Sequence, residues 1–425
     1  MKATTVSALS ASETTAIFAC DIGQDSINLY TDLGNGPVKR DFANRTESIE
    51  HELRRLKILA LQVGFTKILL VVEPTGAYHN TLLRTARRLD MDTAWANPES
   101  VSKMRVIETN DSGKTDEKDP RVISTLASIG KTLTQRMLEE PYSLLREWNK
   151  IYEAADTGMV EAKCAIHNQL KTLFADFSFK KDFLYSPSGQ ALIERYGANP
   201  YRIVRAGKKR FFKTMRKAAP RIQRASVERL FNDAQSSGRN VLTDRHNQLL
   251  ELRLKQLFQD YKVHKKRKER ARETMEGLYH EARQHEPKLP QAHKGVVSTL
   301  SLARIVGETG PWSDFTSLRK FIRFSGLNLR ERQSGNYRGK TKISKKGRTL
   351  LRKISNQAVL PLVKKDRLYG TYYHQKKDRD KMPGTKAMTV VARGFLKMLW
   401  GWYHSEQDFD AKRVFTCESQ YKKAA

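Results

Sequence analysis

Residues 67–73 read KILLVVE, five consecutive apolar side chains between a lysine and a glutamate. A run of that length, rich in β-branched residues, fits a strand covered on both faces, the kind found in an α/β sheet. TAIFACD (15–21) is a second short apolar strand that ends in an acid. SINLYTD (26–32) alternates and can pair with it across a tight GQD turn. Between these strands, Asn44 and Glu47 have capping-box spacing. They precede a stretch with Ile49, Leu53, Leu56, Ala60 and Val63 on one helical face. Residues 80–90 are predicted as helix, MDTAWAN (91–97) as strand, and Pro120 to about Ile129 as helix. Alternation of this kind predicts an α/β domain.

The remainder is predicted to be mainly helical. Leu145, Trp148, Ile151, Tyr152, Ala155, Met159, Ala162, Ile166, Leu170 and Leu173 keep helical spacing across 144–177. From 242 to 284, Leu250, Leu254, Leu257, Tyr261, Ala271, Met275, Leu278 and Ala282 step by fours and threes, with His264 and Lys268 at the two missing seam positions. That is a coiled-coil pattern with a polar break, and it predicts a helical partner, with a dimer as one setting for it. Short helices are predicted around 300–306 and 317–324, a Gly-rich basic loop at 330–348, and two apolar helices at about 348–363 and 385–403.

At 39% hydrophobic and 29% charged residues, the 425-residue chain reads as globular, with room for two or three domains. The first 14 residues are read as a disordered tail, not a signal peptide. No apolar run approaches the roughly 20 residues of a membrane span. Cys20, Cys164 and Cys417 lie too far apart to read as a disulfide framework or zinc site. A reducing cytoplasm suits them.

The net charge is +32, unevenly placed. Residues 1–130 carry 16 Lys and Arg against 17 Asp and Glu, whereas 131–425 carry 62 against 29. A near-neutral third followed by a basic remainder points to a polyanion, nucleic acid before membrane. The densest stretch, 201–224, holds ten Lys or Arg and no acid. Within it Lys208, Lys209 and Arg210 are candidate phosphate contacts, and Phe211 and Phe212 candidate stacking platforms. The aromatics of GFLKMLWGWYH (394–404) fall at helical spacing and read as core.

Four acids stand out in the near-neutral third. Asp21 and Glu73 each end an apolar strand, where α/β sheets expose functional side chains. If those strands are neighbours, the two acids sit side by side. Asp116 and Asp119 lie in KTDEKDPRVI. Taken singly, each fits a turn or a cap; Asp119 before Pro120 has the N-cap signature. Taken together, four carboxylates in one domain point to divalent cations, since they repel one another unless cations hold them. Two Mg²⁺ ions serve phosphoryl transfer and prefer such oxygen ligands. His79, a lone histidine, reads as structural.

ACDIGQDS (19–26), VVEPTGAYH (71–79) and KTDEKDPRVI (114–123), in that order and spacing, resemble the DEDD tetrad of the RuvC-like domain in IS one-ten family transposases. ALIERYGANPYRIV (191–204), FIRFSGLNLRERQSGNYRGKTKISKKGRTLLRKISNQA (321–358) and KAMTVVARGFLKMLW (386–400) resemble that family's linker and C-terminal domain. The resemblance covers about 15–405. It implies an RNase H/RuvC-like α/β catalytic domain at 15–140, a helical linker and coiled coil with a basic insert at 141–290, a mainly helical transposase domain at 291–405, and tails at 1–14 and 406–425. It further implies that Asp21, Glu73, Asp116 and Asp119 hold Mg²⁺ and that Ser334, in RQSGNYRGK, is the nucleophile. Arg332, Arg338, Lys340, Lys342, Lys345, Lys346 and Arg348 suit phosphate contacts, with Gly335, Gly339 and Gly347 giving backbone N–H groups access. Partners implied are target and donor DNA, a structured guide (bridge) RNA, and further copies of the chain in a homodimer or homotetramer sharing active sites. The setting would be the bacterial cytoplasm, on the nucleoid when DNA is bound. Two positions depart from the family pattern. Pro120 replaces a small residue, and STLSLA (298–303) lacks the PGIG glycines of a helix-hairpin-helix turn.

Overall fold

The computed structural model describes residues 14–74, 76–109, 118–134, 136–237, 243–331, 333–334, 337–339, 341–405 and 407–410. The chain divides into two compact units, Met1–Leu138 with Trp312–Phe321, and Glu139–Pro311 with Ile322–Ala425.

The first unit is a mixed sheet flanked by helices. Its elements are β1 (Thr15–Ile22), β2 (Ser26–Asp32), β3 (Pro37–Ala43), α1 (Thr46–Gln62), β4 (Lys67–Val72), α2 (Asn80–Arg88), β5 (Asp92–Ala96), α3 (Pro98–Thr109), α4 (Lys118–Ser128) and β6 (Thr132–Thr134). The strand order is β3-β2-β1-β4-β5-β6. The β1, β4 and β5 strands are parallel to their neighbours in that trio, and β2, β3 and β6 are antiparallel to theirs. Strand alternation sorts the core into two layers. Phe18, Cys20, Leu70 and Val72 meet Leu53 and Leu56 of α1 and Leu82 and Leu83 of α2. Ala19, Leu69, Val71 and Ala94 meet Val101 of α3 and Val122, Ile123 and Leu126 of α4.

The second unit is helical, with α5 (Tyr142–Leu173), α6 (Pro187–Tyr196), α7 (Pro200–Ala206), α8 (Lys208–Ala218), α9 (Arg224–Ser237), α10 (Asp244–His285) and α11 (Thr299–Thr309). After α12 (Leu318–Ser325) come four short strands: β7 (Leu329–Arg330), β8 (Gln333–Ser334), β9 (Tyr337–Arg338) and β10 (Lys342–Ile343). The helices α13 (Thr349–Val359), α14 (Gly370–His374) and α15 (Gly384–Ser405) follow. The long helix foreseen at 242–284 finds its neighbour in the same chain, because α10 packs along α5. The polar seam positions are matched there. Lys268 donates to Asp156 at 2.6 Å, and the ring of His264 lies over Gly158.

Three local expectations need correcting. Arg45, not Asn44, is the N-cap residue of α1, and no side chain caps it, so the Asn44/Glu47 capping box does not form. The last helix of the sheet unit begins at Lys118, so Asp119 lies in its first turn instead of capping it. Pro120 is tolerated because the first four helical N–H groups lack intrahelical acceptors anyway. Phe211 is fully buried between Tyr196 and Phe231, because α8 turns Phe211 and Met215 inward one turn apart. It is core, not a stacking platform; Phe212 is half-buried against the same core. Of the 394–404 aromatics, Phe395, Trp400 and Tyr403 are buried as foreseen, whereas Trp402 is half-buried and lines a cavity.

Candidate active site

The register of β1 with β4 decides where the first two acids lie. Cys20 is level with Val72, so one rung further Asp21 is level with Glu73, the residue after β4. Asp21 shares the strand face of Ala19, which packs toward α3 and α4. Glu73 continues the parity of Leu69 and Val71 on that face. Both acids are half-buried. One Asp21 oxygen accepts the N–H of Ile22 at 2.9 Å, which fixes the side chain against its own strand. Asp119 falls one turn before Val122 and Ile123, which pack on the same layer, and it is 1% exposed.

Asp119 is not bare. Arg105, one turn after Val101 on α3, donates to one Asp119 oxygen from Nε at 2.9 Å and from Nη2 at 2.6 Å. Removing one partner of so buried a pair leaves an uncompensated charge, typically destabilising by 3–5 kcal/mol. Arg105 is not among the residues that the sequence marks for the site. Its four-residue spacing from the buried Val101 was the available signal. Asn44, instead of capping α1, donates its amide to the Gly23 carbonyl at 3.0 Å and to the Tyr78 carbonyl at 3.2 Å. Asn44 thereby ties the turn after Asp21 to the loop after Glu73.

Asp116 lies outside the described residues. Among those described, no group of three or more His, Cys, Asp or Glu is close enough to hold a metal ion. Asp21 and Glu73 supply hard oxygen donors of the right kind for a divalent cation. Asp119 reaches the same sheet face already engaged by Arg105. Two neighbouring groups belong elsewhere. His79 is buried at the start of α2, edge-on to Trp95 at 5.9 Å, which supports its structural reading. The Cys20 thiol is free, and burial, followed by the charge of Asp21, pushes its pKa far up, so it is no nucleophile at neutral pH.

Ser334 is exposed, in β8, paired across residues 335 and 336 with Tyr337 of β9. Outside that pair, Arg330 of β7 pairs with Lys342 of β10, so the predicted loop is a two-stranded arm. Its base is locked by backbone. Lys345 donates to the Gly326 carbonyl at 3.1 Å and Arg348 to the Phe324 carbonyl at 2.9 Å. A Cβ on Gly347 would come within 2.5 Å of the Gly326 nitrogen. Gly347 is therefore required by this close approach of two chains rather than by access to a phosphate. Lys342, Lys345 and Lys346 are exposed, whereas Arg348 is half-buried and ion-paired with buried Glu308 at 2.9 Å. Arg332 and Lys340 lie outside the described residues, as does the side chain of Arg338. Lys208, Lys209 and Arg210 are exposed on α8 and make no ion pair with any described residue. The STLSLA stretch is an ordinary helix start. Ser298 caps α11 by accepting the Ser301 N–H at 3.2 Å.

Two family models match this chain. A DEDD-type transposase model of the IS110 group, described as Transposase, covers residues 19–175. A second, Transposase IS116/IS110/IS902 family, covers 293–374. Over these two regions the chain is similar to IS110-family transposases. No curated protein matches it. With both domains present it is an enzyme that cleaves DNA and transfers strands, and DNA is its partner. The DEDD match implies a divalent metal requirement. No helix among the described residues is long and apolar enough to cross a membrane.

Proposed function

We propose that this transposase is an RNA-guided recombinase with an RNase H/RuvC-like domain at 15–140 and a serine-bearing domain at 291–405. The observation that carries the reading is the β1–β4 register, which ends at the Cys20–Val72 pair and so sets Asp21 and Glu73 one rung beyond it on two adjacent parallel strands. With Asp116 and Asp119 they would hold Mg²⁺, which when bound neutralises charge on the reacting phosphate. Hydroxyl Oγ of Ser334 attacks phosphorus. An Oγ–P bond forms, the bond from phosphorus to one strand oxygen breaks, and the serine proton ends on that departing oxygen. The reverse attack by a hydroxyl of another strand releases the serine and joins the new pair, so no nucleotide cofactor is needed. The exposure of Ser334 on a basic arm supports this role. The cation excess after residue 130 supports a structured guide RNA beside the DNA. An assembly of two or four copies, acting on the bacterial nucleoid, completes the reading.

The test is denaturing electrophoresis of labelled target DNA after incubation with protein, RNA and Mg²⁺. Wild type should give a slower, protease-sensitive band, and Ser334→Ala should lose it while keeping its fold, since one exposed hydroxyl contributes within about 0.5 kcal/mol. Normal cutting and rejoining by Ser334→Ala would make the enzyme one in which water attacks.

A further inference from the structure

A cavity of about 560 Å³ opens between α14, α15 and residues 408–410 of the helical unit. That size lies in the range of small-ligand sites, roughly 300–1,000 Å³. Its walls are aromatic and cationic: Tyr369, Tyr372, Trp402 and Phe409 with Arg393 and Lys397. Trp402 and Phe409 meet at 4.9 Å and 49°, forming a corner of two rings. Burial pushes the Tyr369 phenol pKa up, so that wall stays neutral. Nitrogen Nε of Arg393 is buried with no hydrogen-bond partner, and neither Arg393 nor Lys397 makes an ion pair with a described residue.

The floor is the more telling feature. Gly394 and Gly401, two turns apart on α15, both line the cavity. A mid-helix glycine is about 1 kcal/mol less favourable than alanine. Packing does not require either one. A Cβ at Gly401 would meet nothing within 4 Å, and one at Gly394 only the Tyr369 ring at 3.8 Å. Glycines in a helix interior with no protein neighbour leave room for something else to lie flat against the backbone.

We propose that this cavity holds one unstacked base of single-stranded DNA, with Trp402 and its neighbouring rings stacking on the base and Arg393 and Lys397 meeting the adjoining phosphates. The lining suits that ligand better than a simple anion. Asp408 and Asp410 also line the cavity, and carboxylates accept from the amino edge of a base but repel a bare phosphate. Base–aromatic stacking is the usual means of holding single strands without reading sequence. An enzyme that transfers strands must separate them, and a captured base delays re-pairing. The proposal rests on the DNA-handling activity but not on the serine or the guide RNA.

The experiment measures binding of the full chain to single-stranded and duplex oligodeoxynucleotides and to single-stranded RNA. Gly401→Leu grows into the cavity from a position whose Cβ meets nothing within 4 Å, and should melt no lower than wild type. Together with Trp402→Ala, it should weaken single-strand DNA binding roughly tenfold or more and leave duplex binding nearly unchanged. An iodouracil-substituted DNA strand should photo-crosslink to Trp402, Tyr372 or Phe409. Unchanged single-strand affinity in Gly401→Leu would overturn the proposal. So would a loss confined to RNA, which would give the cavity to a different strand. If wild type bound no DNA of any kind, the wider functional reading would fail instead.

Discussion

Charge is used differently in the two regions of this molecule. Residues 1–130 hold nearly equal numbers of acids and bases, and the important ones have fixed places. Asp21 and Glu73 are set by strand register, and Asp119 by a helix turn and Arg105. Residues 131–425 hold 62 bases against 29 acids, and there the charges separate into two populations. Arg304 with Glu153, Arg348 with Glu308 and Lys268 with Asp156 tie helices together. Lys208, Lys209 and Arg210 stand in solvent. Placed charges give all-or-none chemistry, whereas exposed cations act by number and give graded, salt-sensitive binding.

The sharpest way to break this comparison is to remove a placed acid. If Asp21 and Glu73 hold the metal as proposed, Asp21→Ala or Glu73→Ala should lower strand cleavage by roughly 10³-fold or more, because losing one ligand removes several kcal/mol of charge stabilisation. DNA affinity, measured by gel shift, should change little. If cleavage by Asp21→Ala stayed within tenfold of wild type, the paired strand ends would be structural and the site would lie elsewhere.

The next largest effect separates the two sides of α8. Phe211→Ala should destabilise the helical unit by about 3–5 kcal/mol, since it empties a fully buried ring site. Neutralising Lys208, Lys209 and Arg210 to Gln should leave the denaturation midpoint almost unchanged. It should instead flatten the slope of log affinity against log salt by up to about 2–3, if each cation meets a phosphate. A triple variant with wild-type salt dependence would show that this face does not touch nucleic acid.

These contrasts also explain what could be read in the sequence. KILLVVE and TAIFACD were legible because a strand buried on both faces must be apolar throughout. That the two are parallel neighbours is not written in either strand; the register of β1 with β4 supplies it. The long helices were legible from their spacing. What escaped was tertiary. Asn44 has capping-box spacing, yet two loop carbonyls from distant positions take its amide. Phe211 sits among cations in sequence, but helical geometry points it the other way. Arg105 looks like one more surface cation until α3 and α4 pack and bury it against Asp119. The short β pairs of the Ser334 arm carry no apolar alternation in sequence. Glycines and cations alone read as loop.

The smallest expected effect tests whether α5 and α10 fit by contact or merely lie alongside each other. Gly158 is inside α5, where alanine should gain about 1 kcal/mol of helix propensity. The new methyl, however, would fall 2.5–2.7 Å from three ring atoms of His264 on α10. The ring must move, and overpacking of this kind typically costs about 1–3 kcal/mol. Gly158→Ala should therefore be mildly destabilising, by about 1 kcal/mol in chemical denaturation. Adding His264→Ala removes the obstacle, so the double variant should be more stable than His264→Ala alone, a coupling that a double-mutant cycle reads directly. Gly401→Ala is the control in the same unit. With nothing within 4 Å of its new methyl, it should stabilise by about 0.5–1 kcal/mol. If both glycine substitutions stabilised equally, the His264 ring would have no fixed seat on α5. Lys268 and Asp156 would then be left to set the register of the two helices.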